Sequence, residues 1–291
     1  MRAGEGHAVR VGGAELQARL YRPEGPPRAA VVILGALAAP QRYLRGFATR
    51  LAGEGYGVLT FDYPGVGDSR AAGSPRTNLD DWAAACHEAA RATRALFPSG
   101  PLLAVCHSIG GMLYGFGGVQ ADGAVLVAST HGVPRHYRGR GRLRVEAAYR
   151  VLPLLALPRG WLPGWRLALG AEVPRDAVRH WGRWGRQARF STWSGAPGRF
   201  AEVRAPLLSV SVEDDDYAPV PAVDALARQY SRAPVLREHV AVGTGKPVGH
   251  FGLLRGGLDD VAWGRWLAWL RRVEQEPYGD GPRESVTASE A

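Results

Sequence analysis

The sequence is poor in several residue types and patterns. Of its 36 basic residues only Lys246 is a lysine. Cysteine occurs twice, at Cys86 and Cys106, which supplies neither a disulfide framework nor the ligand spacing of a zinc module. No apolar run reaches the roughly 18 residues that a membrane-spanning helix requires. The most apolar stretch, Val151 to Trp165, is interrupted by Pro153, Pro158 and Pro163. Met1 to Glu15 contains no apolar core of the kind a secretory signal carries, so a cytoplasmic protein is expected. What remains is an ordinary globular composition: 291 residues, 46% hydrophobic and 22% charged, long enough for one large domain or two small ones.

The net charge of +9 is unevenly placed. Residues 1–130 hold 12 Arg against 10 acids, and residues 131–204 hold 15 Arg against 4 acids. Residues 205–291 hold 9 basic residues against 13 acids. A cationic middle segment suits an anionic ligand, an acidic carrier domain or lipid headgroups. A general preference for arginine in the composition would produce the same count. Nucleic acid is not expected as a partner, because the segment has no C₂H₂ pattern, RNP-type aromatic motif or helix-turn-helix.

Along the chain, His7–Val11 and Glu15–Tyr21 flank Gly12-Gly13 as a hairpin. Ala29–Leu34, Gly57–Phe61, Pro101–Cys106 and Ala124–Ala128 read as buried strands. Between them lie helical patterns at Arg42–Glu54, from an Asn78 N-cap to about Phe97, and at Ile109–Val119. The alternation stops after His131, where helical fragments such as Leu143–Val151 and Pro174–Trp184 stand among Arg, Trp and Pro. It resumes with strand Pro206–Val212, helix Val220–Tyr230, strand Val235–Val242 and helix Asp259–Val273. The expected fold is α/β, a mostly parallel sheet with helices on both faces. Residues 1–130 and 205–273 form its core, 131–204 an inserted helical cap, and 274–291 a disordered polar tail.

The strongest chemical signal is Leu102-Leu103-Ala104-Val105-Cys106-His107-Ser108-Ile109-Gly110-Gly111. A buried strand runs into a serine that has small residues two positions to either side, and then into a helix. A serine on such a strained turn presents its hydroxyl at the carboxyl edge of the sheet, where large neighbours would clash. The Ile109 N–H, at the start of that helix, points where an oxyanion would form. A hydroxyl needs a base, and the base an orienting acid. In this kind of fold they follow in the order acid, then histidine, each after a later strand. Glu213-Asp214-Asp215-Asp216 follows Pro206–Val212, and Gly249-His250-Phe251-Gly252 follows Val235–Val242.

With those motifs in place, the chain resembles the α/β-hydrolase superfamily over nearly its whole length. It is most similar to bacterial serine hydrolases of the serine aminopeptidase-like group. The resemblance rests on Cys106–Gly111, the turn Asp62–Ser69, Asp215 with Pro219, and Gly249–Gly252. It implies that Ser108, Asp215 and His250 form a catalytic triad, with a one-residue slip to Asp214 as the alternative acid. The family's second oxyanion donor follows the third strand, usually after His-Gly. Here the loop reads Leu34-Gly35-Ala36-Leu37-Ala38-Ala39-Pro40 and lacks the histidine, so Ala36 or Leu37 would donate.

Further residues expected near a substrate pocket are Leu37, His107, His131, Trp181 and Trp184, with Trp161, Trp165 and Trp193 offering apolar surface. Cys106 reads as a small core residue. Gly245-Lys246-Pro247 imitates the end of a phosphate loop without its first Gly or its Ser/Thr. The expected activity is cleavage of an ester, thioester or amide bond in a small-molecule acyl substrate, with no metal or cofactor. The alternatives are acyl transfer or thioester hydrolysis on an acidic carrier protein docked at the basic segment, and a non-catalytic binding protein on the same fold.

Overall fold

Residues 29–34 carry no polar side chain, and such a run is stable only as a strand covered on both faces. In the computed structural model, which describes residues 4–11, 13–164, 170–242, 247–255 and 260–276, every residue of this segment is buried. The strands in chain order are β1 (Glu5–Val11), β2 (Ala14–Tyr21), β3 (Ala29–Leu34), β4 (Tyr56–Phe61), β5 (Leu102–His107), β6 (Gly123–Val127), β7 (Trp161–Leu162), β8 (Val173–Pro174), β9 (Leu207–Val212) and β10 (Val235–Val240). Eight form one sheet in the order β1-β2-β4-β3-β5-β6-β9-β10, while β7 and β8 pair separately. β1–β2 and β2–β4 are antiparallel, and every other pair in the large sheet is parallel.

The period-2 alternation of a strand divides the core in two. Ala30, Val32 and Leu34 face helices α2 (Leu79–Leu96) and α3 (Ile109–Gly117), joining Trp82, Cys86 and Leu113. Val31 and Ile33 face the other way, with Phe47 of α1 (Arg45–Gly53) and Trp263 and Trp266 of the C-terminal helix. Local signals act where they stand: Asn78 caps α2 by accepting the Asp80 N–H at 2.8 Å, while Asp81 accepts the Asn78 N–H at 2.8 Å.

The segment between β6 and β9 contains α4 (Gly139–Leu155), the β7–β8 ribbon and α5 (Arg175–Gln187), so it is not purely helical. α4 runs on past Pro153, beyond the expected Leu143–Val151. Proline removes the N–H that would reach the Tyr149 carbonyl four residues back, and Arg186 of α5 donates to that carbonyl instead. Gly182 and Gly185 of α5 meet Tyr149 so closely that a Cβ at Gly185 would stand 2.2 Å from its ring. Glycine there lets the two helices touch.

Two short helical pieces follow, α6 (Val220–Ala227) and α7 (Gly249–Gly252), before α8 (Asp260–Gln275). The expected tail from Glu274 is corrected at its first residues. Glu274 lies in α8, where Arg28 donates to it at 3.0 Å and Tyr56 donates its hydroxyl. The rest of that tail from 277, with Trp165 and Lys246, lies outside the described residues. Among the described residues no helix is long and apolar enough to cross a membrane.

Candidate active site

β5 ends at His107 and α3 begins at Ile109, so Ser108 alone must turn the chain. It does so at φ 55° and ψ −115°, a left-handed conformation rare outside glycine. The turn is held by the Ser108 N–H donating to the Val127 carbonyl at 2.9 Å. The small flanking residues have a visible cause. A Cβ at Gly110 would stand 2.3 Å from the Leu34 carbonyl oxygen, and Cys106 is fully buried opposite Leu34 in the β3–β5 pairing.

The Ser108 hydroxyl lies 2.9 Å from His250 Nε2, and His250 Nδ1 lies 2.7 Å from Asp215 Oδ2. With the proton on Nδ1, the imidazole donates to the carboxylate and accepts from the serine. Asp215 is buried, and its Oδ1 accepts the N–H groups of Tyr217 at 2.9 Å and Ala218 at 3.0 Å. The remaining acids of the run point elsewhere. Asp214 accepts the N–H groups of Val248 and Gly249, Glu213 accepts that of Val242, and Asp216 pairs with Arg144 on α4.

His107 sits behind this line. Its Nε2–H donates to the His250 carbonyl at 2.8 Å, and the ring packs edge-on against Phe251. Burial, with the neighbouring His250 adding to it, pushes the His107 pKa down to about 3, so the ring stays neutral. It anchors the backbone that carries His250.

The 34–40 loop curls back on itself, with the Ala39 N–H donating to Ala36 at 3.2 Å and Ala38 at φ 58°. Beside it lies a network that sequence reading missed. Asp62, buried, accepts the Gln41 N–H at 2.6 Å and the Asp68 N–H at 2.9 Å. Gln41 in turn accepts from Thr60 at 2.9 Å and donates to the Gln17 carbonyl at 2.9 Å. Burial raises the Asp62 pKa to about 6. The available signal was the turn Asp62–Ser69 itself, whose Gly67 leaves no room for a Cβ beside the Asp62 carboxyl. Ile109, as the first residue of α3, has an N–H with no acceptor inside its own helix.

The expected pocket residues fall into two groups. His131, Trp181 and Trp184 meet with Met112, Tyr149 and Phe190 around a cavity of about 10 Å³, room for about one water. His131 is pushed down to about 4 by burial, and its Nε2 has no partner among the described residues. His107 and Ala36 border a separate cavity of the same size with Tyr43, Phe251 and Arg255. His107 is therefore apart from the Trp group. Leu37 is half-buried against the core, Trp161 is buried in β7, and Trp193 is exposed. Among the described residues no group of three or more His, Cys, Asp or Glu side chains is placed to hold a metal ion.

A mostly parallel sheet, a serine on its strand-to-helix turn, and an acid and a histidine brought to it from two later loops define an α/β-hydrolase. The chain belongs to the hydrolase family described as serine aminopeptidase, S33, whose model matches residues 25–175. Among solved structures it is similar to a soluble variant of monoglyceride lipase from Saccharomyces cerevisiae, with TM-score 0.70, 13% identity, and 96% of this chain and 97% of the other covered. A thermostable carboxyl esterase from Bacillus coagulans gives TM-score 0.60 at 14% identity, covering 94% of this chain and 99% of the other. Est1E from Butyrivibrio proteoclasticus gives TM-score 0.60 at 15% identity, covering 92% and 98%. Comparison with the sequences of curated proteins finds no match.

Proposed function

We propose that the protein is a serine hydrolase that cleaves a carboxylic ester or thioester through an acyl-enzyme. The observation that carries this reading is the unbroken line from Ser108 Oγ through His250 to Asp215, at 2.9 Å and 2.7 Å. His250 Nε2 takes the Ser108 proton as Oγ attacks the carbonyl carbon. Asp215 holds the imidazole in the required tautomer and stabilises the imidazolium. The Ile109 N–H and a donor from the Ala36 loop receive the oxyanion. The tetrahedral intermediate collapses as His250 protonates the leaving alcohol or thiol, and a water deprotonated by His250 then releases the acid. The names carboxyl esterase and monoglyceride lipase, carried by proteins of the same fold, agree with an ester substrate.

Residues 131–204 are proposed as a cap over the site, with His131, Trp181 and Trp184 facing a hydrophobic acyl group. Their cavity is about 10 Å³, room for about one water, so a guest of acyl size requires the side chains that line it to move. The 15 Arg against 4 acids of this segment favour a second reading, a thioester carried on an acidic domain.

The test is labelling by a fluorophosphonate probe of wild type, Ser108→Ala, His250→Ala and Asp215→Asn. The expected pattern is labelling of wild type, none of Ser108→Ala, and strong attenuation in the other two. A folded wild type that resists the probe, or a Ser108→Ala variant that is still labelled, would overturn the assignment. Turnover of carrier-bound but not free esters, falling as salt is raised, would select the second reading.

A further inference from the structure

Ten large apolar side chains are exposed among the described residues, and five of them belong to α4 and the turn after it: Leu143, Val151, Leu154, Leu155 and Leu157. Leu143 and Leu154 are 67% and 61% exposed. At 100° per residue, Leu143, Ala147, Val151 and Leu154 share one side of α4. Tyr149, on the opposite side, and Pro153, on the flank, are buried. Arg140, Arg144 and Arg150 stand among the exposed aliphatic residues, and Arg138 and Arg159 flank the helix. Among the described residues, the acids paired with the arginines of α4 are Glu146 and Asp216. The face therefore keeps a positive surplus beside an apolar ridge about 17 Å long.

We propose that this face of α4 seats the protein on an anionic lipid surface, with the leucines entering the acyl boundary and the arginines reaching the phosphates. Arginine stems lie along apolar surface while their guanidinium groups meet headgroup oxygens. Charge selects this occupant over a second copy, since pairing two such faces would oppose two Arg-rich segments. The exposed anchors of the face are all aliphatic, Leu143, Val151, Leu154, Leu155 and Leu157, which an acyl boundary receives without specific pairing. Arg144 ties α4 to Asp216, one residue from Asp215, so a docked surface lies beside the candidate site. Docking is independent of the chemistry proposed for Ser108.

The test uses the full chain with sedimentable vesicles of phosphatidylcholine, with and without phosphatidylglycerol, at low and high salt. Wild type is expected to sediment only with the phosphatidylglycerol vesicles and to be released by salt. Leu143→Ser/Leu154→Ser/Leu157→Ser is expected to weaken that binding at least ~10-fold, and Arg140→Glu by ~5-fold. Thermal melting and fluorophosphonate labelling of both variants should match wild type, because these side chains already face solvent. A wild type that ignores anionic vesicles overturns the proposal, whether it is a monomer, a dimer dissolved by the leucine substitutions, or a partner of an acidic protein. Vesicle binding that survives the triple substitution also overturns it, leaving adsorption by charge alone.

Discussion

Asp214 Oδ1 accepts the Gly249 N–H at 2.8 Å, so the residue beside the candidate acid holds the residue beside the candidate base. Its other oxygen accepts the Val248 N–H at the same distance. Two loops from separate strands are thereby fastened to one another where Asp215 and His250 must meet.

Two neighbouring acids should therefore differ sharply. Asp215→Asn removes the acceptor that sets the His250 tautomer, and a loss of about 10⁴-fold in turnover is expected. Asp214→Ala leaves the line intact but frees its base-bearing loop, with an expected loss of about 10- to 100-fold. Rates of fluorophosphonate labelling read both. Equal losses, or no loss with Asp214→Ala, would show that the clamp has no positioning role.

Glycine substitutions should follow backbone proximity. Gly110→Ala drives a Cβ to 2.3 Å from the Leu34 carbonyl, an overpacking expected to cost about 2–3 kcal/mol and lower Tm by at least about 5 °C. Gly53→Ala, in α1 with nothing within 4 Å of its would-be Cβ, is expected to be neutral or to stabilise by about 0.5–1 kcal/mol. Calorimetry of the pair checks the contrast.

Acid lability should depend on His107. Burial pushes its pKa in the folded chain from the ordinary 6.5 down to about 3, so the unfolded chain takes the proton first. The stability it contributes is fully present above pH 6.5 and is lost as pH falls toward 3, on the order of 4–5 kcal/mol in all. His107→Gln, which retains a donor for the His250 carbonyl, should flatten the stability profile across that window. Denaturant titrations at successive pH values measure it, and an unchanged slope would contradict neutral burial.

Asp62 should act with the opposite sign. Burial raises its pKa in the folded chain from the ordinary 3.8 to about 6, so the folded state holds the proton longer. That contribution is complete below pH 3.8 and disappears as pH rises through about 6, a change on the order of 3 kcal/mol. The stability of wild type relative to Asp62→Asn should fall by that amount over the interval. A constant difference between the two proteins would show that Asp62 is not a desolvated carboxyl.

Much of the site was readable because its constraints are local. Cys106-His107-Ser108-Ile109-Gly110 follows a fully apolar strand, and a residue that turns a strand into a helix in one step needs small neighbours wherever it occurs. The hairpin, the buried strands and the Asn78 cap were legible for the same reason, since period, burial and capping act within a few residues. The β7–β8 ribbon was not, being too short to carry a period. The passage of α4 through Pro153 was hidden because its compensation comes from Arg186, on another helix.

By itself the sequence determined where the eight strands of the large sheet fall along the chain, the strained serine turn, and the chain positions after β9 and β10 from which an acid and a histidine could come. The choice between Asp215, which the resemblance implies, and its neighbour Asp214 rests on tertiary structure, where adjacent side chains diverge and Asp215 is the one that lies against His250. Tertiary structure also made His107 a support for the His250 backbone, clamped the histidine loop to Asp214, and turned the aliphatic side of α4 toward solvent. These depend on distances between residues far apart in the chain, which the packing of helices on the sheet sets and no local pattern encodes.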